Sequence, residues 1–219
     1  MANRKDNLKY LFTVEGECEK LYLNHLQNLI NQNIDSKYTV QIEATVTSEI
    51  QKTAKAINPL TVPKTLYHLC DVEGTAQEDI NRFHQYLSDL NTVKKQKGLK
   101  YELGYSNFSF ELWMVLHKQE CNGCLTHKGE YLPIINRAFS QNFISLKEYK
   151  KKDNFQTCLD KIDLEDIRLA ILRSKRIMAM RKANGDREIA YCTYKYYRDN
   201  PANTVWQGIE HILKECELL

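Results

Sequence analysis

The 219-residue sequence has few of the features that mark membrane or nucleotide-binding proteins. It contains only 8 glycines and 4 prolines, and no long apolar run. The charged opening MANRKDNLKYLF and the missing apolar run argue against a secretory signal and a membrane-spanning helix, so we expect a cytoplasmic protein. No glycine-rich phosphate loop occurs, so a P-loop ATPase is not expected, and any ATPase activity would belong to a partner.

The chain also has little net charge and no pattern of paired cysteines. A formal charge of +3 is weakly basic and neither requires nor excludes a nucleic-acid partner. Seven cysteines at irregular spacings do not suit a disulfide framework, so we expect mostly free thiols. The cations are unevenly distributed, with one run at Lys147, Lys150, Lys151 and Lys152 and a second at Arg173, Lys175, Arg176, Arg181, Lys182 and Arg187.

Strand-like and helix-like segments alternate along the first half of the chain. Apolar patterning predicts strands at 8–14, 38–46, 65–70 and 100–105, and helices at 17–31, 48–57 and 77–90, with a connector at 58–64. This alternation predicts an α/β fold with a mainly parallel central sheet flanked by helices over residues 1–120. Residues 121–219 are expected to form a mostly helical extension packed on that core, with helices at 164–181 and 203–218.

Acidic residues follow two of the predicted strands. Glu15, Glu17 and Glu19 come after the first strand, and Asp71 and Glu73 after the third. Ligands of open α/β sheets bind outside the carboxyl ends of the strands. On an extended backbone Asp71 and Glu73 would point to the same side, which suits Mg²⁺ with its oxygen ligands. Glu15, facing this pair, would supply a third carboxylate as a ligand or general base.

A simpler interpretation exists for each acidic cluster. Acids in a first helical turn are stabilised by the helix dipole, which accounts for Glu17 and Glu19, and loop acids are usually just solvated. Glu19, one helical turn beyond Glu15, could alternatively reach the metal. The presence of acids at the ends of two strands of one sheet favours the metal site.

Several segments resemble RloB-like proteins, which are Toprim-related bacterial proteins found beside restriction and phage-defence genes. The segments are EGECEKLYL from Glu15, the pair Asp71 and Glu73, and SNFSFELWMVLH from Ser106, which resembles the family's Ser-Asn-x-x-Phe-Glu-x-Trp. NPANTV from Asn200 resembles the family's closing Asn-Pro-x-x-Thr-Val. The resemblance implies a Toprim-like α/β core, in which Glu73 replaces the second aspartate of the Toprim Asp-x-Asp.

The resemblance also implies a metal-dependent nuclease that hydrolyses DNA or RNA with Mg²⁺ or Mn²⁺ in bacterial anti-phage defence. Glu15, Asp71 and Glu73 would hold the ion, which polarises the phosphate and activates a water. Glu111 would serve as a further ligand or as the base that orients the water. One of Lys150, Lys151 and Lys152, with Lys151 preferred, would neutralise charge that develops in the transition state. A solvated loop explains the same lysine run equally well.

Four further residues are expected to bind the substrate, and other functions remain open. The four are Ser106, Asn107, Lys150 and Lys152, of which Ser106 and Asn107 could also cap the following helix. The alternative to the nuclease is a non-catalytic effector subunit that recognises nucleic acid or a protein on a Toprim scaffold. Primase or topoisomerase chemistry is not expected, because the chain has no room for a strand-gate domain. The oligomeric state is left open.

Two other patterns have structural explanations that we prefer. His117, Cys121, Cys124 and His127 contain four potential zinc ligands, but eleven residues would require a very tight knuckle, so we expect unconnected thiols and a core-facing His117. The aromatic run 191–197 resembles a single-strand nucleic-acid platform, but tyrosines that pack the extension onto the core explain it as well.

Overall fold

The computed structural model describes residues 5–58, 65–97 and 99–219, and a β-sheet lies at its centre. The strands are β1 Asn7–Val14, β2 Thr39–Val46, β3 Thr65–Asp71, β4 Lys100–Asn107, β5 Glu188–Tyr191, β6 Tyr194–Tyr197 and β7 Ala202–Asn203. Five of them form the central sheet in the order β2-β1-β3-β4-β7, and β5 and β6 form a separate hairpin. The pairs among β1 to β4 are parallel, and β7 is antiparallel to β4. The expected mixed α/β fold with a mainly parallel sheet is confirmed.

Helices precede, connect and follow these strands. Their bounds are α1 Glu17–Gln32, α2 Ile50–Lys55, α3 Gln77–Lys97, α4 Glu111–Leu116, α5 Tyr131–Phe139, α6 Leu146–Tyr149, α7 Lys152–Leu159, α8 Leu164–Ala183 and α9 Trp206–Glu215. A short 3₁₀ turn spans Lys128–Glu130. Among the described residues, no helix is both long enough and apolar enough to cross a membrane.

Both faces of the sheet are buried, because side chains of successive strand residues point to opposite faces. In β3, Leu69 packs in one apolar cluster with residues of α1, α4, α5, α7, α8 and α9. Leu66 and Cys70 pack in a second cluster with residues of α2, α3 and the hairpin. The helices therefore cover the sheet in two layers.

The register of β1 and β3 determines where the candidate site residues lie. Val14, the last residue of β1, pairs with Leu69 of β3. Because the two strands are parallel and adjacent, the residues that follow Val14 and Leu69 leave the sheet at the same edge. Glu15 and Asp71 are thereby brought together from positions 56 residues apart in the chain.

The buried face of α1 explains why this segment forms a helix against the sheet. Tyr22, Leu23, Leu26 and Ile30 are its fully buried apolar residues, and they recur at the three- and four-residue spacing of one helical face. The prediction of a strand, a glycine turn and a helix at the beginning of the chain is confirmed.

The second half of the chain is less purely helical than predicted. It contributes the hairpin and β7, which the sequence analysis does not anticipate. The predicted final helix is wrong at its start, because Asn203 pairs with Ser106 in the sheet and α9 begins at Trp206. The division at residue 120 stays a prediction, although β7 pairs with β4 across it and one apolar cluster includes residues from both parts. The predicted connector falls largely outside the described residues, at 59–64.

The closing NPANTV segment has a structural role at the edge of the sheet. The Thr204 hydroxyl donates to the Leu103 carbonyl and accepts from the Tyr105 N–H, both at 3.0 Å. The Asn200 amide bonds to both the N–H and the carbonyl of Leu125. These bonds attach the end of the chain to β4 and to the loop after α4.

Candidate active site

An acidic cleft of about 420 Å³ lies at the carboxyl ends of β1 and β3. Among the described residues, its charged lining side chains are the acids Glu15, Glu17, Glu19, Asp71, Glu73 and Glu111 and the cations Arg82 and Lys150. Six carboxylates against two cations make this a site with an excess of negative charge, which is favourable for a cation.

Glu15 is held directly beside Asp71. Its Oε2 atom accepts a hydrogen bond of 2.7 Å from the backbone N–H of Asp71. Burial raises the pKa of Glu15, and this bond and the Tyr86 hydroxyl oppose the increase. The charge of Glu73 raises the pKa further, while Arg82 lowers it. Glu15 is therefore oriented by fixed donors within the acidic cluster.

Asp71 is the last residue of β3, and only 8% of its surface is exposed. Burial raises its pKa well above the usual value, and the charges of Glu19, Glu15 and Glu111 raise it further. Lys150 opposes this effect. Because three separate elements supply these charges, Asp71 lies at the electrostatic centre of the cleft.

Glu111 is the first residue of α4 and is 2% exposed. Its Oε1 atom pairs with Lys150 Nζ at 2.9 Å. Its other oxygen, Oε2, is buried and has no hydrogen-bond partner among the described residues. A buried acceptor without a partner costs about 1–3 kcal/mol, and more if it is charged, so this oxygen is available for a ligand.

Glu19 belongs to the cleft, so the helix dipole alone does not account for it. It is 6% exposed, and burial raises its pKa to about 7, with further contributions from the charges of Glu111 and Glu15. A Cβ atom at Gly16 would lie 2.9 Å from the Glu19 carboxylate, so the glycine leaves room for it. The four-residue spacing from Glu15, which suggested that Glu19 could reach the same site, agrees with this position.

Glu73 lines the cleft but does not project from an extended strand as expected. β3 ends at Asp71, and Glu73 has a positive φ of 68°. Its N–H donates to the Phe108 carbonyl at 2.8 Å, and its carboxylate pairs with Lys128. The predicted extended backbone at Glu73 is therefore wrong, although Asp71 and Glu73 both line the cleft as expected.

Lys150, not Lys151, is the lysine that reaches the cleft. Lys150 is the residue directly after α6, and its ammonium lies against Glu111. Lys151 is the N-cap of α7 and Lys152 its first helical residue, both exposed and neither lining the cleft. Lys150 is therefore better placed than the predicted Lys151 to act on a group bound in the cleft. The substrate-binding role of Lys152 stays a prediction, since Lys152 is not among the described lining residues.

Ser106 and Asn107 do not face the cleft as substrate ligands. Both side chains are fully buried at the end of β4. The Asn107 amide donates to the carbonyls of Tyr197 and Arg198. Asn107 thereby attaches the hairpin to the sheet, and Ser106 pairs with Asn203 of β7. Neither residue is among the described lining residues of the cleft, so their substrate-binding role stays a prediction. The predicted helix cap is wrong, since α4 begins after Phe110 without a side-chain cap.

The cleft offers oxygen donors, which suit a hard divalent cation. In the described parts of the chain, no three His, Cys, Asp or Glu side chains lie close enough together to hold a metal ion as a group. Mg²⁺ is commonly held by only one or two carboxylates, with water and substrate phosphate completing its coordination. One or two carboxylates from among Glu15, Asp71 and Glu111 would fit this chemistry, with water and substrate supplying the remaining ligands.

The potential zinc ligands are separated from one another. Both ring nitrogens of His117 are occupied, with Nδ1 2.8 Å from the Trp113 carbonyl oxygen and Nε2 3.1 Å from the Tyr22 hydroxyl. Complete burial lowers the pKa of His117 to about 3. Cys124 and His127 are exposed. The expectation of a core-facing His117 is confirmed. That this segment binds no zinc stays a prediction.

The tyrosines of the hairpin pack rather than form an open platform. Tyr194, Tyr196 and Tyr197 are buried in the apolar cluster between the hairpin and α3. Tyr196 makes an edge contact with Phe83 at 4.9 Å between ring centroids. The preferred packing interpretation of this run is confirmed.

Comparison with known proteins gives one match. The family model described as RloB-like protein matches residues 10–212, which is most of the chain. No curated protein and no solved structure matches.

Proposed function

The chain belongs to the RloB-like family, and on that premise we propose that it is a metal-dependent nuclease that hydrolyses phosphodiester bonds of DNA or RNA with Mg²⁺ or Mn²⁺. The proposal includes a Toprim-like core for the parallel sheet and a role in bacterial anti-phage defence. An ATPase from the same locus is proposed as the partner, because the sequence has no phosphate-binding loop of its own.

The observation that carries the proposal is the crowding of buried carboxylates in one cleft. Glu15, Glu19 and Asp71 each have a raised pKa, and each is raised in part by the charges of its acidic neighbours. Such mutual repulsion costs stability, and clusters of this kind are enriched at functional sites. A divalent cation would relieve the repulsion and recover the cost on binding.

The residues divide into ligands, a positioning acid and a cation. Asp71 and Glu15 would hold the metal, which supplies Lewis acidity and an activated water. Glu111 would accept a proton from that water or hold it in line with the phosphate, through its unpartnered oxygen. Lys150 would neutralise the charge that develops on the phosphate oxygens.

The test is cleavage of labelled single-stranded and duplex DNA and RNA with Mg²⁺, Mn²⁺ or EDTA. We expect metal-dependent cleavage that Asp71→Asn abolishes, because the substitution keeps the shape of the side chain and removes its charge. Glu188→Gln is the matched control, since Glu188 is an exposed acid paired with Lys195 on the hairpin. Metal-dependent cleavage that survives Asp71→Asn would contradict the proposal.

A non-catalytic effector subunit is the second candidate, and the Glu73 contact favours it. Lys128 pairs with the Glu73 carboxylate and thereby offsets part of the negative charge that would attract a metal ion. On this alternative the protein binds nucleic acid or a partner without cleaving it. Tight nucleic-acid binding that needs no divalent ion and is unchanged in Asp71→Asn would favour this candidate.

A further inference from the structure

The ion pair between Lys150 and Glu111 joins an exposed side chain that can move to a buried one that has little room to move. Glu111 is 2% exposed at the bottom of the cleft, whereas the Lys150 side chain is 44% exposed, and the two meet at 2.9 Å. A buried carboxylate has little room to move, but a lysine has four methylene groups and can swing its ammonium over several ångströms. The pair can therefore open by movement of the lysine alone.

The backbone at the base of this lysine is firmly held. Tyr149 is fully buried and packs against Phe143 and Phe155, with ring centroids 5.8 Å and 5.4 Å away. The Lys150 N–H donates to the Leu146 carbonyl at 2.9 Å. The ammonium thus moves about a fixed point, and its reach remains centred on the cleft.

Lys150 offsets the negative charge of other cleft carboxylates in addition to that of Glu111, its direct partner. Its charge lowers the pKa of Asp71 and that of Glu19, in addition to pairing with Glu111. Arg82, the other cation that lines the described part of the cleft, acts on Glu15 and pairs with Asp79 on α3. Lys150 therefore occupies the centre of the negative charge, where a divalent ion would also be most strongly attracted.

We propose that Lys150 is an exchangeable cation: it neutralises the cleft carboxylates until a divalent ion and a phosphate group bind, and it then turns from Glu111 to the phosphate. This inference rests on the proposed nuclease function and adds an order of events to it. A lysine and a divalent ion in one cleft repel each other, so each weakens the binding of the other. A phosphate between them supplies the negative charge that allows both to remain, which couples metal binding to substrate binding.

The test is Mn²⁺ binding in the absence of nucleic acid, measured by electron paramagnetic resonance at about pH 8.5 to limit competition from protons. We expect Lys150→Met to bind Mn²⁺ about tenfold more tightly than the natural protein, the effect of removing one charge about 6 Å from a divalent ion at the dielectric constant of water. Lys147→Met is the matched control, because Lys147 is an exposed lysine of α6, three residues before Lys150, and is not among the lining residues of the cleft. Lys150→Arg keeps the charge and should retain the natural affinity.

The outcomes separate this inference from the function on which it rests. Tighter Mn²⁺ binding by Lys150→Met, and unchanged binding by Lys147→Met and Lys150→Arg, would support the exchange. The outcome that overturns the exchange requires that the natural protein binds Mn²⁺ and that Asp71→Asn abolishes this binding. Under that condition, Mn²⁺ binding by Lys150→Met that is equal to or weaker than that of the natural protein would overturn the exchange. If the natural protein binds no Mn²⁺ in that manner, the proposed function itself fails, and the exchange fails with it. Lys150→Gln repeats the measurement with a second neutral side chain if Lys150→Met is poorly folded.

Discussion

Glu19→Gln should make the metal-free protein more stable at alkaline pH. Glu19 is buried, and its pKa is raised from 4.5 to about 7 by burial and by the charges of Glu111 and Glu15. Below about pH 4.5 the carboxyl is protonated in both the folded and the unfolded chain. Between about 4.5 and 7 the folded chain keeps a proton that the unfolded chain has released, so stability falls as the pH rises through this window.

The expected size follows from the pKa of Glu19. A tenfold change in proton affinity is worth about 1.4 kcal/mol, so the change from 4.5 to about 7 corresponds to about 3 kcal/mol. Glutamine resembles the protonated acid and cannot ionise, which removes this loss. For a chain of this length, about 3 kcal/mol corresponds to an increase of roughly 6–12 °C in the melting temperature.

The assay is urea unfolding in EDTA at about pH 5 and about pH 8.5. We expect Glu19→Gln and the natural protein to differ little near pH 5, and the variant to be more stable by up to about 3 kcal/mol near pH 8.5. Glu17→Gln is the matched control, because Glu17 is an exposed acid of the same first helical turn. Its loss should cost about 0.3–1 kcal/mol through the helix dipole, the opposite sign. A Glu19→Gln variant that is no more stable at alkaline pH would refute the electrostatic account of the cleft.

Two further predictions concern residues outside the acidic cluster. Asn107→Ala should destabilise the protein by about 1–3 kcal/mol in urea unfolding, because the carbonyls of Tyr197 and Arg198 lose their donor. KM for nucleic acid should not change. A raised KM with unchanged stability would instead support a substrate-binding role for Asn107. Protein purified without added metal should contain no stoichiometric zinc by elemental analysis, because both nitrogens of His117 are occupied; one zinc per chain that is lost in Cys124→Ser would contradict this.

The parts of the fold that could be predicted from the sequence are those with long, regular patterns. In β1 and α1 the spacing of apolar residues repeats over enough neighbouring positions to predict each element from the sequence. The strand β7 has only two residues and exists because Asn203 pairs with Ser106, which lies far away in the chain. No local pattern encodes such a pairing, since its stability comes from the partner strand.

The candidate site could be predicted in its acids but not in their final arrangement. Glu15 and Asp71 follow from the rule that strand ends gather ligands, and the structure brings them together through the pairing of β1 with β3. The backbone at Glu73 departs from the expected extended conformation, because β3 ends at Asp71 and Glu73 has a positive φ. The sequence also does not show whether Lys150 or Lys151 reaches the cleft, because this depends on where α6 ends and α7 begins.

The central claim is that the acidic cleft binds a divalent cation. The most direct measurement is anomalous diffraction from a crystal soaked in Mn²⁺, at the absorption edge of manganese. The account predicts an anomalous peak in the cleft within coordination distance of Asp71 and of Glu15 or Glu111. A fully soaked crystal with no peak in the cleft, or with Mn²⁺ bound only elsewhere on the protein, would contradict it.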